Sequence, residues 1–178
     1  MKKNNVNQST KKLALSAVLS ALGVVMLTLG SVLSALDLTM VAMASILVYF
    51  AIIEMGTPYQ YLIYAVTGIL SILLLPDKFA AFLYIVFGGI YPILKRVVER
   101  LRRIPCWIIK VIYFNAVITV MVLGSKYLFG IDEEDLTISL YALGNVAFIL
   151  YDIAMTRLLT VYFNRLRKRL RIEKYFGK

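Results

Sequence analysis

The sequence contains no histidine and a single cysteine, Cys106. Without histidine, neither a Ser-His nor a Cys-His nucleophile can form, and a His-ligated metal site is excluded. A lone cysteine cannot form a disulfide within the chain, and in an apolar setting it is typical of packing. The sequence also has no glycine-rich phosphate-binding loop. We therefore expect a protein that is not an enzyme, holds no metal or cofactor and does not hydrolyse a nucleotide itself.

Charged residues are also scarce, at 17% of the 178 residues, whereas 61% of the residues are hydrophobic. A soluble domain has about 25% charged and about 45–50% apolar residues. A compact chain of this length keeps much of its surface exposed, so the apolar excess cannot all be buried in a core. We expect lipid to cover the remainder.

Six apolar runs approach the length of a transmembrane helix, which is about 20 residues with a range of roughly 17–25. They lack the strict alternation of lipid-facing barrel strands, and only helices or closed barrels satisfy the backbone in lipid. We predict an all-α membrane protein, a bundle of about six transmembrane helices. The runs are Leu13–Leu36, Leu38–Ile53, Tyr59–Leu75, Phe79–Leu94, Ile104–Phe129 and Leu136–Phe163.

The predicted organisation is a flexible basic tail at 1–12, a six-helix transmembrane domain at 13–164 and a basic tail at 165–178. The first run is longer than the apolar part of a signal peptide, about 7–15 residues, which favours a retained helix over a cleaved signal.

Lysines and arginines collect near the N-terminus, between the fourth and fifth runs, and at the C-terminus. With six spans these regions lie on one side of the membrane, while Asp37, Asp77 and the acids at 132–135 lie on the other. The positive-inside rule then predicts that both termini are cytoplasmic. This distribution accounts for the net charge of +10 without nucleic acid. We expect the C-terminal tail to contact anionic headgroups.

Polar side chains recur at helical spacing within several runs. Asn115, Thr119 and Lys126 share a face of the fifth run, and Tyr141 and Asn145 share a face of the sixth. Polar groups in hydrocarbon normally face the bundle interior. The stripes indicate either a small-molecule pocket or ordinary hydrogen bonding between helices.

Similar stripes occupy the third run, at Tyr64, Thr67 and Ser71, and the fourth, at Tyr84. The predicted orientation puts Asp37, Lys126, Tyr141 and Asn145 in the outer half, although a solvated rim would also explain Asp37 and Lys126. The candidate ligand-binding residues are Asp37, Tyr84, Asn115, Thr119, Lys126, Tyr141 and Asn145.

The first run carries Ala14, Ala17 and Ala21 on one side. Ala17 and Ala21 form a small-xxx-small motif, which lets another helix approach closely. The partner helix belongs either to the same chain or to another protein.

The opening of this run, Lys-Lys-Leu-Ala-Leu-Ser-Ala-Val-Leu-Ser-Ala-Leu at 11–22, together with six spans, resembles the substrate-binding S components of energy-coupling factor (ECF) transporters. The resemblance implies that Ala14, Ala17 and Ala21 meet a transmembrane coupling protein. It also implies a vitamin-like solute bound on the outer side, energy from separate ATPase subunits, and a bacterial plasma membrane. The missing histidines argue against a nickel or cobalt member.

Two other interpretations remain open. A non-transporting scaffold similar to the rod-shape-determining protein D family would use the small-residue face and the basic loops as partner contacts. A membrane-embedded enzyme would need convergent acid and base groups, and only Asp152 and Glu54 lie deep enough. Glu54 is expected instead to meet a loop cation such as Lys95.

Overall fold

The described part of the chain is mainly helical, as its long apolar runs predict. The computed structural model describes residues 2–33, 36–129, 138–162 and 164, with no β-strand among them. The chain divides into two units, Met1–Glu133 and Glu134–Lys178. The described helices are α1 (Lys2–Val32), α2 (Asp37–Met55), α3 (Tyr59–Leu74), α4 (Lys78–Val98), α5 (Arg103–Phe129) and α6 (Ile138–Val161).

Five of these described helices are long and apolar enough to cross a membrane: Gln8–Val32 within α1, α2, α4, Arg103–Gly124 within α5, and α6. The remaining helix, α3, is apolar but has only 16 residues. At 1.5 Å per residue it is about 24 Å long, less than the thickness of a typical hydrocarbon core, about 30 Å. The prediction of an all-α membrane protein is confirmed.

The helix ends differ from the predicted runs where polar residues continue a helix. α4 extends to Val98, beyond the predicted end at Leu94, because Lys95 and Arg96 are good helix formers. α1 begins at Lys2, within the segment predicted as the N-terminal tail. The C-terminal tail and the acids at 132–135 lie outside the described residues.

Side-chain contacts at one end of the first unit join the start of α1, the end of α2 and the start of α3. The Lys12 ammonium donates to the Met55 carbonyl oxygen at 3.3 Å and lies 5.7 Å from the centre of the Tyr59 ring. The Arg96 guanidinium, near the end of α4, donates to Gln60 Oε1 at 2.8 Å. We call this end of the unit the basic end.

The start of α5 joins the same end, because Lys110 pairs with Glu99, which follows α4. Helices α1 to α5 therefore alternate in direction. Asp37 begins α2 and Asp77 precedes α4, so both lie at the opposite end, which we call the acidic end.

α1 packs on α2 and α3 through a face of small residues. Ser16, Ser20, Gly23 and Gly30 are buried on this face. A Cβ atom at Gly23 would lie 3.0 Å from Thr67 Cγ2, and one at Gly30 would lie 3.0 Å from Met40 Cβ, so the glycines permit the close approach.

Two helices contain a wide turn of the π type, in which hydrogen bonds join residues five apart. One such turn, Ala51–Met55, ends α2, and the other, Tyr84–Gly88, lies inside α4. Gly56 follows the first turn with φ of 75°, a conformation that favours glycine. Tyr84 is the first residue of the second turn.

The helix that the structure describes in the second unit is α6. Its buried residues, Phe148, Asp152 and Met155, recur every three or four positions and so share one face of the helix.

Candidate functional site

The polar stripes of α3 and α4 meet in the first unit. The Tyr64 and Tyr84 ring centres are 6.2 Å apart. The Thr67 side chain lies close to the Tyr84 hydroxyl, and the Thr67 hydroxyl donates to the Ser20 carbonyl oxygen of α1 at 3.4 Å. Ser71 lies one turn further along α3, toward the acidic end. We call Ser20, Thr67, Ser71 and Tyr84 the hydroxyl cluster.

The hydroxyl cluster is buried and largely unpartnered. Ser20 is 2% exposed, and Ser71 and Tyr84 are fully buried at 0%. No hydrogen bond of standard geometry reaches any of these three hydroxyl groups. Buried polar atoms in proteins nearly always have a partner, so each exception needs an explanation. A ligand that offers hydrogen-bonding atoms is one such explanation.

Asp37 repeats this pattern at the acidic end. Its side chain is buried beside Gly30, and its Oδ1 atom has no hydrogen-bond partner. Asp77 is near enough to act on Asp37 electrostatically. Neither carboxylate forms an ion pair with the described residues. The adjacent lysine, Lys78, donates to the Leu75 carbonyl oxygen instead.

The Asp77 carboxylate has a local structural role. Its Oδ1 atom accepts a hydrogen bond of 2.9 Å from the Phe79 backbone N–H, which caps the start of α4.

Three buried polar side chains near the basic end have hydrogen-bond or ion-pair partners. The Ser16 hydroxyl donates to the Lys12 carbonyl oxygen at 2.8 Å. The lysines at 95 and 110, which are 1% and 3% exposed, both pair with Glu99. By their positions on the helices, the unpartnered atoms of Ser20, Ser71, Tyr84 and Asp37 lie between the middle of the first unit and its acidic end.

The predicted stripe on α5 is hydrogen-bonded along its own helix. The Asn115 amide donates to the Val111 carbonyl oxygen at 2.8 Å, and the Thr119 hydroxyl donates to the Asn115 carbonyl oxygen at 2.9 Å. Both side chains are half-buried, whereas Lys126 is exposed. Such bonds are usual for polar residues in membrane helices. They do not test whether Asn115 and Thr119 contact a ligand, so that role stays a prediction.

Tyr141 and Asn145 belong to the second unit. Both are half-buried, and the Asn145 amide donates to the Tyr141 carbonyl oxygen at 2.7 Å. Their part in ligand binding stays a prediction. The pairing of Glu54 with Lys95 also stays a prediction, although both side chains are buried.

The alanines of α1 lie on its free side. Ala14, Ala17 and Ala21 are all exposed, while Ser16 and Ser20 face α2 and α3. We call these three alanines the alanine face. The small-xxx-small motif therefore does not pack α1 against α2 or α3.

Sequence reasoning did not single out Ser20 as part of the site. The signal was present as a second series of small residues on α1, at Ser16, Ser20, Gly23 and Gly30, on the face that the structure buries. The wide turn that begins at Tyr84 has no comparable sequence signal.

A surface groove beside Tyr64 is lined by apolar side chains of α3 and α4, including Gly68, Ile69, Ile72 and Ile85. It offers few polar atoms to a polar solute. Within the described ranges, no three acidic or cysteine side chains are grouped so as to hold a metal ion.

These features define a multi-pass, all-α membrane protein with buried, unpartnered polar groups in its first unit. Comparisons with protein-family models, curated proteins and solved structures gave no match.

Proposed function

We propose that this protein is the membrane-embedded, substrate-binding subunit of an ECF-type importer in a bacterial plasma membrane. It captures a vitamin-like solute on the outer side and reorients with a coupling protein that separate ATPases drive. The observation that carries the proposal is the group of buried, unpartnered polar atoms on Ser20, Ser71, Tyr84 and Asp37. A buried hydrogen-bonding group without a partner is destabilising unless a ligand satisfies it.

The position of these atoms supports capture at the acidic end, which the positive-inside rule predicts to be the outer side. The hydroxyl cluster offers neutral donors and acceptors, and Asp37 adds an acceptor with negative charge. This combination favours a polar solute that carries hydrogen-bond donors or a positive charge.

The exposed alanine face supports coupling to a partner. Ala14, Ala17 and Ala21 are free of α2 and α3, so a helix of another protein can approach them closely. The solute then needs different affinities in the outward and inward states, because only differential binding shifts such an equilibrium.

Native mass spectrometry of the purified chain with a panel of vitamins and related polar solutes tests the proposal. We expect one solute to bind, and Tyr84→Phe to weaken its binding about tenfold, the effect of losing one hydrogen bond of roughly 1.4 kcal/mol. Without solute, the same variant should lose little or no stability, because no hydrogen bond of standard geometry reaches this hydroxyl. Tyr61→Phe, on a half-exposed tyrosine of α3, is the matched control. Absence of binding across the panel would refute the proposal.

A scaffold for cell-envelope machinery is the second candidate. The observation that favours it is the hydrogen bonding of Asn115 and Thr119 within α5, which accounts for that stripe without a solute. Under this alternative, the Tyr84→Phe variant would retain every function of the parent chain.

A further inference from the structure

The segment from 95 to 110, which joins α4 to α5 at the basic end, is strongly basic. It contains six lysines and arginines and one acid, Glu99. Backbone hydrogen bonds form the turn after α4, where the Arg100 and Leu101 N–H groups donate to the carbonyl oxygens of Val97 and Val98.

The single acid of this segment is already engaged. The Glu99 carboxylate lies 3.5 Å from the Lys95 ammonium and 3.2 Å from the Lys110 ammonium. The Arg96 guanidinium donates to Gln60. The remaining positive charges of the segment therefore have no acid within it to neutralise them.

Those charges belong to Arg100, Arg102 and Arg103. All three side chains are exposed. None of them forms a hydrogen bond or an ion pair with the part of the chain that the structure describes. Their charge is available to an external anion.

Apolar side chains adjoin these arginines on the first turns of α5. Ile104 is 76% exposed, Ile108 is 53% exposed, and the half-exposed Trp107 ring lies 5.4 Å from the Lys110 ammonium. Tryptophan concentrates at the level of the lipid headgroups, and basic residues near a membrane surface attract anionic lipids. We call Arg100, Arg102, Arg103 and Trp107 the arginine patch.

We propose that the arginine patch binds the phosphate of an anionic phospholipid headgroup. Arginine donates two parallel hydrogen bonds to a phosphate, which suits a site with several guanidinium groups. A lipid fits better than an acidic protein, because Ile104 and Ile108 are exposed on a membrane-spanning helix, where acyl chains would cover them.

The test reconstitutes the full chain into nanodiscs of equimolar phosphatidylglycerol and phosphatidylcholine and measures retained lipid by native mass spectrometry. We expect the parent chain to retain phosphatidylglycerol preferentially. The double variant Arg102→Gln/Arg103→Gln should reduce that preference by about fivefold for each arginine removed. Both side chains are exposed, so the variant should fold, which circular dichroism and size-exclusion chromatography would verify.

Lys126→Gln is the matched control, because it removes an exposed cation from the other end of α5. It should reduce the lipid preference by much less than fivefold, because a lone ammonium cannot donate the two parallel hydrogen bonds of a guanidinium group. Equal retention of the two lipids by the parent chain would overturn the proposal. So would an unchanged preference in the double variant, or an equal loss in Lys126→Gln. If the double variant lost a copurifying acidic protein while its lipid retention was unaltered, the patch would be assigned to that protein instead.

Discussion

The Tyr113 hydroxyl of α5 donates a hydrogen bond of 2.7 Å to the Val86 carbonyl oxygen, inside the wide turn of α4. The adjacent carbonyl oxygen, that of Ile85, accepts a bond of 3.1 Å from the Tyr64 hydroxyl of α3. A wide turn interrupts the regular helical hydrogen bonds, and lipid offers no substitute for a carbonyl left without a donor. Two tyrosines from flanking helices thus stabilise the turn that carries Tyr84.

Tyr113→Phe should destabilise the protein by about 1 kcal/mol, because it removes the donor from the Val86 carbonyl while preserving the ring. The unfolding midpoint in detergent would measure the change. Tyr127→Phe is the control, since Tyr127 is 77% exposed. Equal midpoints for the two variants would show that the hydrogen bond contributes nothing.

The sequence predicts the helices well because each apolar run must satisfy its own backbone in lipid, whatever its neighbours do. The ends of α2 and α3 accordingly lie close to the predicted ends of their runs. α4 is longer than predicted because Lys95 and Arg96 remain helical while their charges reach partners at the basic end.

The candidate site was less predictable, for two physical reasons. Both sides of α1 carry small residues, so composition cannot decide whether Ala17 or Ser20 faces the interior. The wide turn at Tyr84–Gly88 is stabilised by Tyr64 and Tyr113, which are distant in the sequence. Helical spacing did predict that Tyr64, Thr67 and Ser71 share one face, but not that Ser20 would complete the cluster.

Glu99→Gln should destabilise the junction of α4 and α5, because it leaves the buried ammonium groups of Lys95 and Lys110 without their shared carboxylate. Breaking a buried pair costs about 3–5 kcal/mol, and we expect about 1–3 kcal/mol because the Glu99 side chain is 44% exposed. Thermal unfolding would record the loss.

The double variant Glu99→Gln/Lys110→Met separates charge from packing. It removes one of the two cations that pair with Glu99 and keeps an apolar chain of similar length, so it should recover part of the stability that Glu99→Gln loses. No recovery would mean that Glu99 acts through contacts other than its pairing with Lys110.

Gly88→Ala should also destabilise the protein, because α2 and α4 approach each other at this glycine. The added Cβ atom would lie 2.5 Å from Val41 Cγ1 and 3.3 Å from the Val41 carbonyl oxygen, so the Val41 side chain or the helices must shift. Overpacking of this kind costs about 1–3 kcal/mol. Gly68→Ala is the matched control, because its Cβ atom would meet only the flexible Ile85 side chain, at 3.2 Å. A Gly88→Ala variant no less stable than Gly68→Ala would contradict this packing.

Ala17→Trp tests the proposed coupling surface without altering the buried face of α1. Ala17 is exposed, so we expect the variant to fold and to bind solute as the parent chain does. Because a tryptophan prevents the close helix approach that small residues allow, the variant should no longer copurify with a coexpressed coupling protein and its ATPases.

Two further variants make this last prediction specific. Leu22→Trp places the same bulky group at an exposed α1 position outside the alanine face, and its complex should survive. Ser20→Trp would push against Thr67 and should impair folding itself, which distinguishes the buried face from the alanine face. If Ala17→Trp and Leu22→Trp copurified with the partner equally well, the alanine face would not be the coupling surface. The resemblance to ECF subunits would then no longer be supported by Ala14, Ala17 and Ala21.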